Sequence, residues 1–148
     1  MRLIFTLCAA LLSTTVYAAP SCQDVAVQLN TRLHPRVDAV ELAQILTTLN
    51  ATHNQQLPNK FVTKRDAASM GWQRGHDLWD VPALQGKSIG GDKFSNFERQ
   101  LPRAQWREAD LDYHGGHRGA KRLVFSTQGQ RFVTVDHYQT YTEVPACL

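Results

Sequence analysis

Two stretches in the last third of the chain carry side chains suited to metal-free cleavage of a phosphodiester. Trp106-Arg107-Glu108-Ala109-Asp110-Leu111-Asp112-Tyr113 is followed by Arg118 and Arg122, and then by Asp136-His137-Tyr138-Gln139-Thr140-Tyr141. Such cleavage needs a base, an acid, and cations where charge builds on phosphorus. When the nucleophile is a ribose 2′-hydroxyl, the substrate brings it, and no serine or cysteine is required.

Glu108 is the candidate base. In a strand, residues 108 and 110 point to one face, so Glu108 and Asp110 share it while Arg107 faces away. His137 is the candidate acid, because imidazole is the side chain that exchanges protons near neutral pH. Arg118 and Arg122 can grip phosphate oxygens bidentately, which lysine does less specifically. By residue type alone, the same side chains also read as a cross-strand charge network with a histidine at a strand end.

Elements that could hold these groups together are legible in the patterning. Apolar residues Val40, Leu42, Ile45, Leu46 and Leu49 recur at helical spacing from Val37, and the helix should stop between Asn50 and Asn54. Leu57-Pro58-Asn59 reads as a turn. Thr63 is an N-cap for a short helix with Asp66 in its first turn and Gly71 at its end. A third helical segment is expected around Asp77 to Leu84. After Gly86 the period changes to two. Ser88 to Asp92, Gln105 to Leu111, Arg122 to Ser126 and Arg131 to Val135 read as strands, with Thr127 to Gln130 a turn and Tyr141 to Val144 closing the chain. Helices first and strands after predict an α+β domain with N-terminal helices packed on a C-terminal antiparallel sheet.

The 148 residues suit one domain. Residues 1–19 have the layout of a secretory signal peptide: Arg2, an apolar run from Leu3 to Leu12, then small residues around Ala18 and Ala19. The residues before Cys8 lack the small-residue context of a lipoprotein signal, and no later run is long and apolar enough to span a bilayer. Residues 20–36 read as an N-terminal extension or short helix, and residues 37–148 as the functional domain. The expectation is an exported protein, periplasmic or extracellular, that does not associate with membranes. Removing residues 1–19 leaves Cys22 and Cys147 near the two ends. In an oxidising compartment a bridge between them is expected, contributing about 4–5 kcal/mol by restricting the unfolded chain.

The chain is mildly basic, with net charge +3. That balance says little about nucleic acid. Arg99, Arg103, Arg107, Arg118, Lys121 and Arg122 share one stretch with only Glu108, Asp110 and Asp112, which is either a basic strip or a mixed solvated surface. Gly86-Lys87-Ser88 is not a nucleotide-binding loop, since Val81 stands where that motif needs glycine and a strand follows. His114 and His117 read as exposed turn histidines rather than metal ligands. Trp72, Trp79 and Trp106 read as core.

From Val40 to Val144 the chain resembles the small secreted bacterial guanyl-preferring ribonucleases typified by barnase. The resemblance is densest at Leu57-Pro58-Asn59, Thr63-Lys64, Gly71-Trp72, Gly86 to Asp92, Phe94-Ser95-Asn96, Trp106 to Asp110 and Asp136 to Thr140. By position it implies a microbial ribonuclease fold with Glu108 as general base and His137 as general acid. Lys64, Arg118 and Arg122 fall on phosphate-binding positions, and Asp110 on the acid that holds the arginines. Tyr138 falls on a phosphate-side tyrosine. Ser95, Asn96 and Phe97 fall on the loop whose backbone meets guanine O6, and Glu98 on the carboxylate that accepts from guanine N1 and N2.

The implied partner is single-stranded RNA, cut by a monomer after guanosine through a 2′,3′-cyclic phosphate, with no metal or cofactor. A barstar-like protein inhibitor is implied as a partner by the same resemblance. Phe97 departs from it, since the type member has an arginine there that also touches the inhibitor. The cysteine pair and the segment before Val37 are additions. A non-catalytic RNA- or inhibitor-binding relative of the same fold is the rival reading, and its expected sign, loss of Glu108 or His137, is absent.

Overall fold

A computed structural model describes residues 11–148. The first ten residues of the expected signal peptide, including Cys8 and most of the apolar run, lie outside the described residues. Helix α1 (Cys22–Leu29) is capped by the Ser21 hydroxyl, which accepts from the Asp24 N–H. Helix α2 (Ala39–Ala51) is capped by the Asp38 carboxylate, which accepts from Val40 and Glu41 N–H. Segment 20–36 is therefore helical in part and joined to the main core, with Val25, Ala26, Leu29 and Leu33 buried alongside α2.

Strand β1 (Phe61–Val62) precedes helix α3 (Lys64–Ser69). Thr63 caps α3 on Asp66 N–H, and Gly71 follows at φ 108°, a left-handed backbone that glycine adopts without a Cβ penalty. The helix expected over Asp77 to Leu84 is instead two 3₁₀ turns, Leu78–Asp80 and Pro82–Leu84. Pro82 has no N–H with which to continue a helix from Leu78, so the first turn ends before it.

Strands β2 (Ser88–Phe94), β3 (Trp106–Asp110), β4 (Arg122–Ser126), β5 (Arg131–Thr134) and β6 (Thr142–Glu143) complete a six-stranded sheet in sequential order. Every pairing is antiparallel except β1 with β2, which is parallel. The register of β2 shifts between Gly90 and Asp92. At Gly90 a Cβ would lie 2.5 Å from the Phe61 ring, so the two strands approach closely only because no side chain stands between them.

Alternation gives the sheet two different faces. Ala109, Leu123, Phe125 and Val133 point to α1 and α2 and form the main core with Leu42, Ile45, Leu46 and Leu49. Val40, counted in the apolar helical pattern, is exposed instead. The opposite face carries Trp106, Glu108, Asp110, Arg122 and Val124. It is covered only at one end, where Leu101, Trp106 and Val124 pack with Phe94, Phe132, Tyr138 and Tyr141. Trp72 belongs to a third cluster with Leu78 and Tyr113, and Trp79 packs partly buried against it.

Cys22 and Cys147 form a disulfide spanning 125 residues. It ties α1 to the C-terminal segment, and Asn50 of α2 donates its side-chain N–H to Cys147 O over 2.8 Å. No described helix is long and apolar enough to cross a membrane.

Candidate active site

The open sheet face gathers the candidate groups. Glu108 is 8 % exposed and stands opposite Asp92 on β2 and Val124 on β4. The Tyr138 hydroxyl donates to Glu108 Oε2 over 2.5 Å, within the range of a charge-assisted O–H···O⁻ bond. Lys64 Nζ lies 3.9 Å from the other carboxylate oxygen, Oε1. Lys64 reaches there because its own N–H, at the start of α3, donates to Asp92 Oδ2. The short helix is thereby moored to β2 beside Glu108.

Asp110 is 2 % exposed and holds both arginines. Arg118 donates through Nε and a terminal nitrogen to Asp110 Oδ2 and Oδ1, at 2.6 and 2.7 Å. Arg122 Nε is 3.0 Å from Oδ1, at ion-pair distance but without hydrogen-bond alignment, and its guanidinium donates to the Gly119 and Lys121 carbonyls. The bond to Asp110 holds the Arg118 pKa above its ordinary value against the opposing effect of burial. One buried carboxylate thus fixes two cations on the face where Glu108 stands.

The loop bearing Arg118 is itself anchored. The Asp112 N–H donates to Glu41 on α2, and its carboxylate accepts from the Asp38 N–H and from Lys121. The Tyr113 hydroxyl accepts from Leu78 N–H and lies 2.8 Å from the Gly116 carbonyl. His114 and His117 are exposed in this turn. Among the described residues no group of three or more His, Cys, Asp or Glu side chains is placed to hold a metal ion.

His137 follows β5 in an exposed turn at φ 56°, with Tyr138 at φ 71°. Asp136 organises that turn, accepting from Thr134 Oγ1, from Gln139 and Thr140 N–H, and from Thr140 Oγ1. The hydrogen bonds from Thr140, foremost its hydroxyl, hold the Asp136 carboxyl down at about 2. The Tyr138 ring is 4.9 Å from the His137 ring and stacks on Phe94 at 5.1 Å. Burial first, then the bond to Glu108, pushes the Tyr138 pKa up, so its hydroxyl stays a donor. Expected on the phosphate side, that hydroxyl is engaged by Glu108, while the Arg122 guanidinium carbon lies 6.0 Å from the ring.

Phe94 leads into the expected base-recognition loop. The Asn96 side chain clamps the loop, donating to Leu101 O and accepting from Leu101 N–H. Asn96 and Arg99 both have left-handed backbones. Phe97 is 90 % exposed, and Glu98 is exposed and accepts from Gln100 over 3.1 Å. The loop adjoins the site face, because Phe94 and Leu101 at its two ends pack with Trp106, Tyr138 and Tyr141; burial first, and then the charges of Glu98 and Glu108, raise the Tyr141 pKa to about 12.

Sequence patterning missed the roles of Asp136, Phe94 and Tyr141 in shaping this face. Asp is a turn former because its carboxylate accepts from backbone N–H groups that follow it, and that signal could have marked Asp136. The basic strip is not one surface. Lys121 is paired with Asp112 and Arg107 leans on the Gln55 carbonyl across the other face, while Arg99 and Arg103 line a concavity beside the loop. A concavity of about 710 Å³ against α1 and Pro145 holds none of the candidate catalytic groups.

A family model described as ribonuclease matches residues 46–145. Ribonucleases of Bacillus intermedius and Bacillus pumilus are each 44 % identical over 95 residues, covering 61 % of this chain and 57 % of their own length. A ribonuclease of Heyndrickxia coagulans is 43 % identical over 95 residues, covering 61 % of this chain and 84 % of its own. The chain thus spans little more than half the length of the two Bacillus relatives. With more than half of its residues matched by that model, and with an α+β fold of helices on a mostly antiparallel sheet, the chain belongs to the ribonuclease family, in its barnase-like microbial branch.

Proposed function

We propose that the protein is an exported endoribonuclease that cuts single-stranded RNA on the 3′ side of guanosine. The observation that carries this reading is the shared face: Glu108, held by Tyr138, stands beside Lys64 and beside two arginines fixed by Asp110.

In the first step Glu108 takes the proton of the 2′-hydroxyl. The 2′-oxygen bonds to phosphorus, the bond to the 5′-oxygen breaks, and His137 gives that oxygen a proton. The product is a 2′,3′-cyclic phosphate. In the second step His137 takes a proton from water, whose oxygen bonds to phosphorus. The bond to O2′ breaks and Glu108 returns the proton, leaving a 3′-phosphate. Lys64, Arg118 and Arg122 supply positive charge where the phosphorane forms.

Glu98, exposed on the clamped loop, is suited to accept from guanine N1 and N2, a donor pair that adenine lacks. Such recognition needs an unpaired base. The enzyme acts as a monomer, with residues 1–19 as its export signal and residues 37–148 as the ribonuclease domain. A barstar-like inhibitor would meet Phe97 where the family's type member presents arginine, so its grip there would rest on apolar contact.

The decisive experiment digests a defined single-stranded RNA in excess EDTA and maps the ends. Cyclic phosphates after G support the reading, with Glu108→Ala and His137→Ala each slowing cleavage by orders of magnitude. Binding without cleavage would instead identify a non-catalytic relative. Cleavage that stops in EDTA or extends to DNA would identify a different nuclease.

A further inference from the structure

A second cationic surface lies next to the candidate site. A groove of about 540 Å³ runs between α3 and β2, lined by Lys64, Arg65, Trp72, Arg74, Asp92 and Lys93. Four cations face one carboxylate, and that carboxylate already accepts from the Lys64 backbone N–H. Among the described residues Arg65, Arg74 and Lys93 have no ion-pair partner. Trp72 is buried and its indole N–H is held by the His76 carbonyl, so the groove has a fixed wall. Cations left unpaired around a concavity attract a polyanion.

Lys64 belongs to both places. Its Nζ is 3.9 Å from Glu108 Oε1 and it also lines the groove. A strand whose scissile phosphate lies at Lys64, Arg118 and Arg122 would have its neighbouring phosphates carried along α3. We propose that this groove is a tract for the flanking phosphates of the RNA strand, with Arg65 and Arg74 as its main contacts. This rests on the reading of the site as a ribonuclease. Arg65 and Arg74 stand outside the catalytic set, and both are exposed.

The test compares wild type with the double variant Arg65→Ala/Arg74→Ala on two substrates, a GpA dinucleotide and a nonamer with one central G. For the variant, kcat/KM on the nonamer should fall roughly tenfold, mainly through KM, while the dinucleotide rate is unchanged. Binding of a non-cleavable 2′-O-methyl nonamer, read by anisotropy against salt, should lose ~1.4 from its log–log slope, about 0.7 for each lost phosphate contact. Equal losses on both substrates, or nonamer kinetics and salt slope unchanged, would overturn the tract. If wild type cleaves neither substrate, the ribonuclease reading falls. The anisotropy arm still decides whether the groove binds the strand.

Discussion

Tyr138 Oη and Glu108 Oε2, 30 residues apart in the chain, are joined by a 2.5 Å hydrogen bond across the open face of the sheet. The bond leaves Oε1 as the oxygen turned toward Lys64, and it fixes which oxygen is available to take a proton. Tyr138→Phe keeps the stack on Phe94 and removes only the hydroxyl. We expect kcat/KM to fall roughly tenfold, the scale of one hydrogen bond to a charged group. Thermal stability should change by less than about 1 kcal/mol. Unaltered kinetics would mean that Glu108 is oriented without this bond.

Asp110 is where stability and activity are coupled. It is the carboxylate that faces Arg122, which is only 4 % exposed. Asp110→Ala leaves that guanidinium buried without a counter-charge, and breaking such a pair costs about 3–5 kcal/mol. Urea unfolding should register a loss of this size, and cleavage should drop further because Arg118 is no longer aimed. A loss below about 1 kcal/mol would show that the carbonyls of Gly119 and Lys121 suffice to hold Arg122.

Much of this arrangement was legible because its signals are local. Trp106 to Asp110 and Arg122 to Ser126 alternate, so the side of the sheet on which Glu108 and Asp110 lie follows from counting by two. Thr63 and the acid three residues later announce α3. What escaped reading depends on contacts between distant segments. Phe61-Val62 is too short to show a period, and it becomes a strand only by lying parallel to Ser88-Ile89. The basic residues near Glu108 looked like a strip because spacing in sequence does not reveal that Lys121 is tied to Asp112 while Arg107 turns to the far face. Arg65 and Arg74, which line the groove beside the site, sit on α3 and the loop after it, where no chemistry-bearing pattern stands in the sequence.

The disulfide should matter to stability and not to chemistry. Cys22 and Cys147 are buried in the core between α1, α2 and the C-terminal segment, on the helical side of the sheet, while Glu108 is on the other. Closing a loop of 125 residues is expected to contribute about 5 kcal/mol by limiting the unfolded chain. Cys22→Ala/Cys147→Ala should lower the denaturation midpoint accordingly, while kcat/KM measured well below that midpoint stays within about twofold of wild type. A large loss of activity in the folded double variant would mean that strain at the helical core reaches the site face.

Asp136 gives an acid-limb prediction whose sign follows from its hydrogen bonds. Its carboxyl is held down at about 2, chiefly by Thr140, and an unfolded aspartate titrates near ~3.9. A group with a depressed folded pKa stabilises the fold above its unfolded pKa and loses that contribution as pH falls through the folded value. The difference in melting temperature between wild type and Asp136→Asn should therefore be constant from neutral pH down to about 5. It should shrink between about pH 4 and 2, and vanish below. The same turn presents His137 at a left-handed backbone, so the variant should also lose kcat at neutral pH while still folded. A melting difference that persists unchanged at pH 2 would show that the turn is held by shape and by Thr134 rather than by the charge of Asp136.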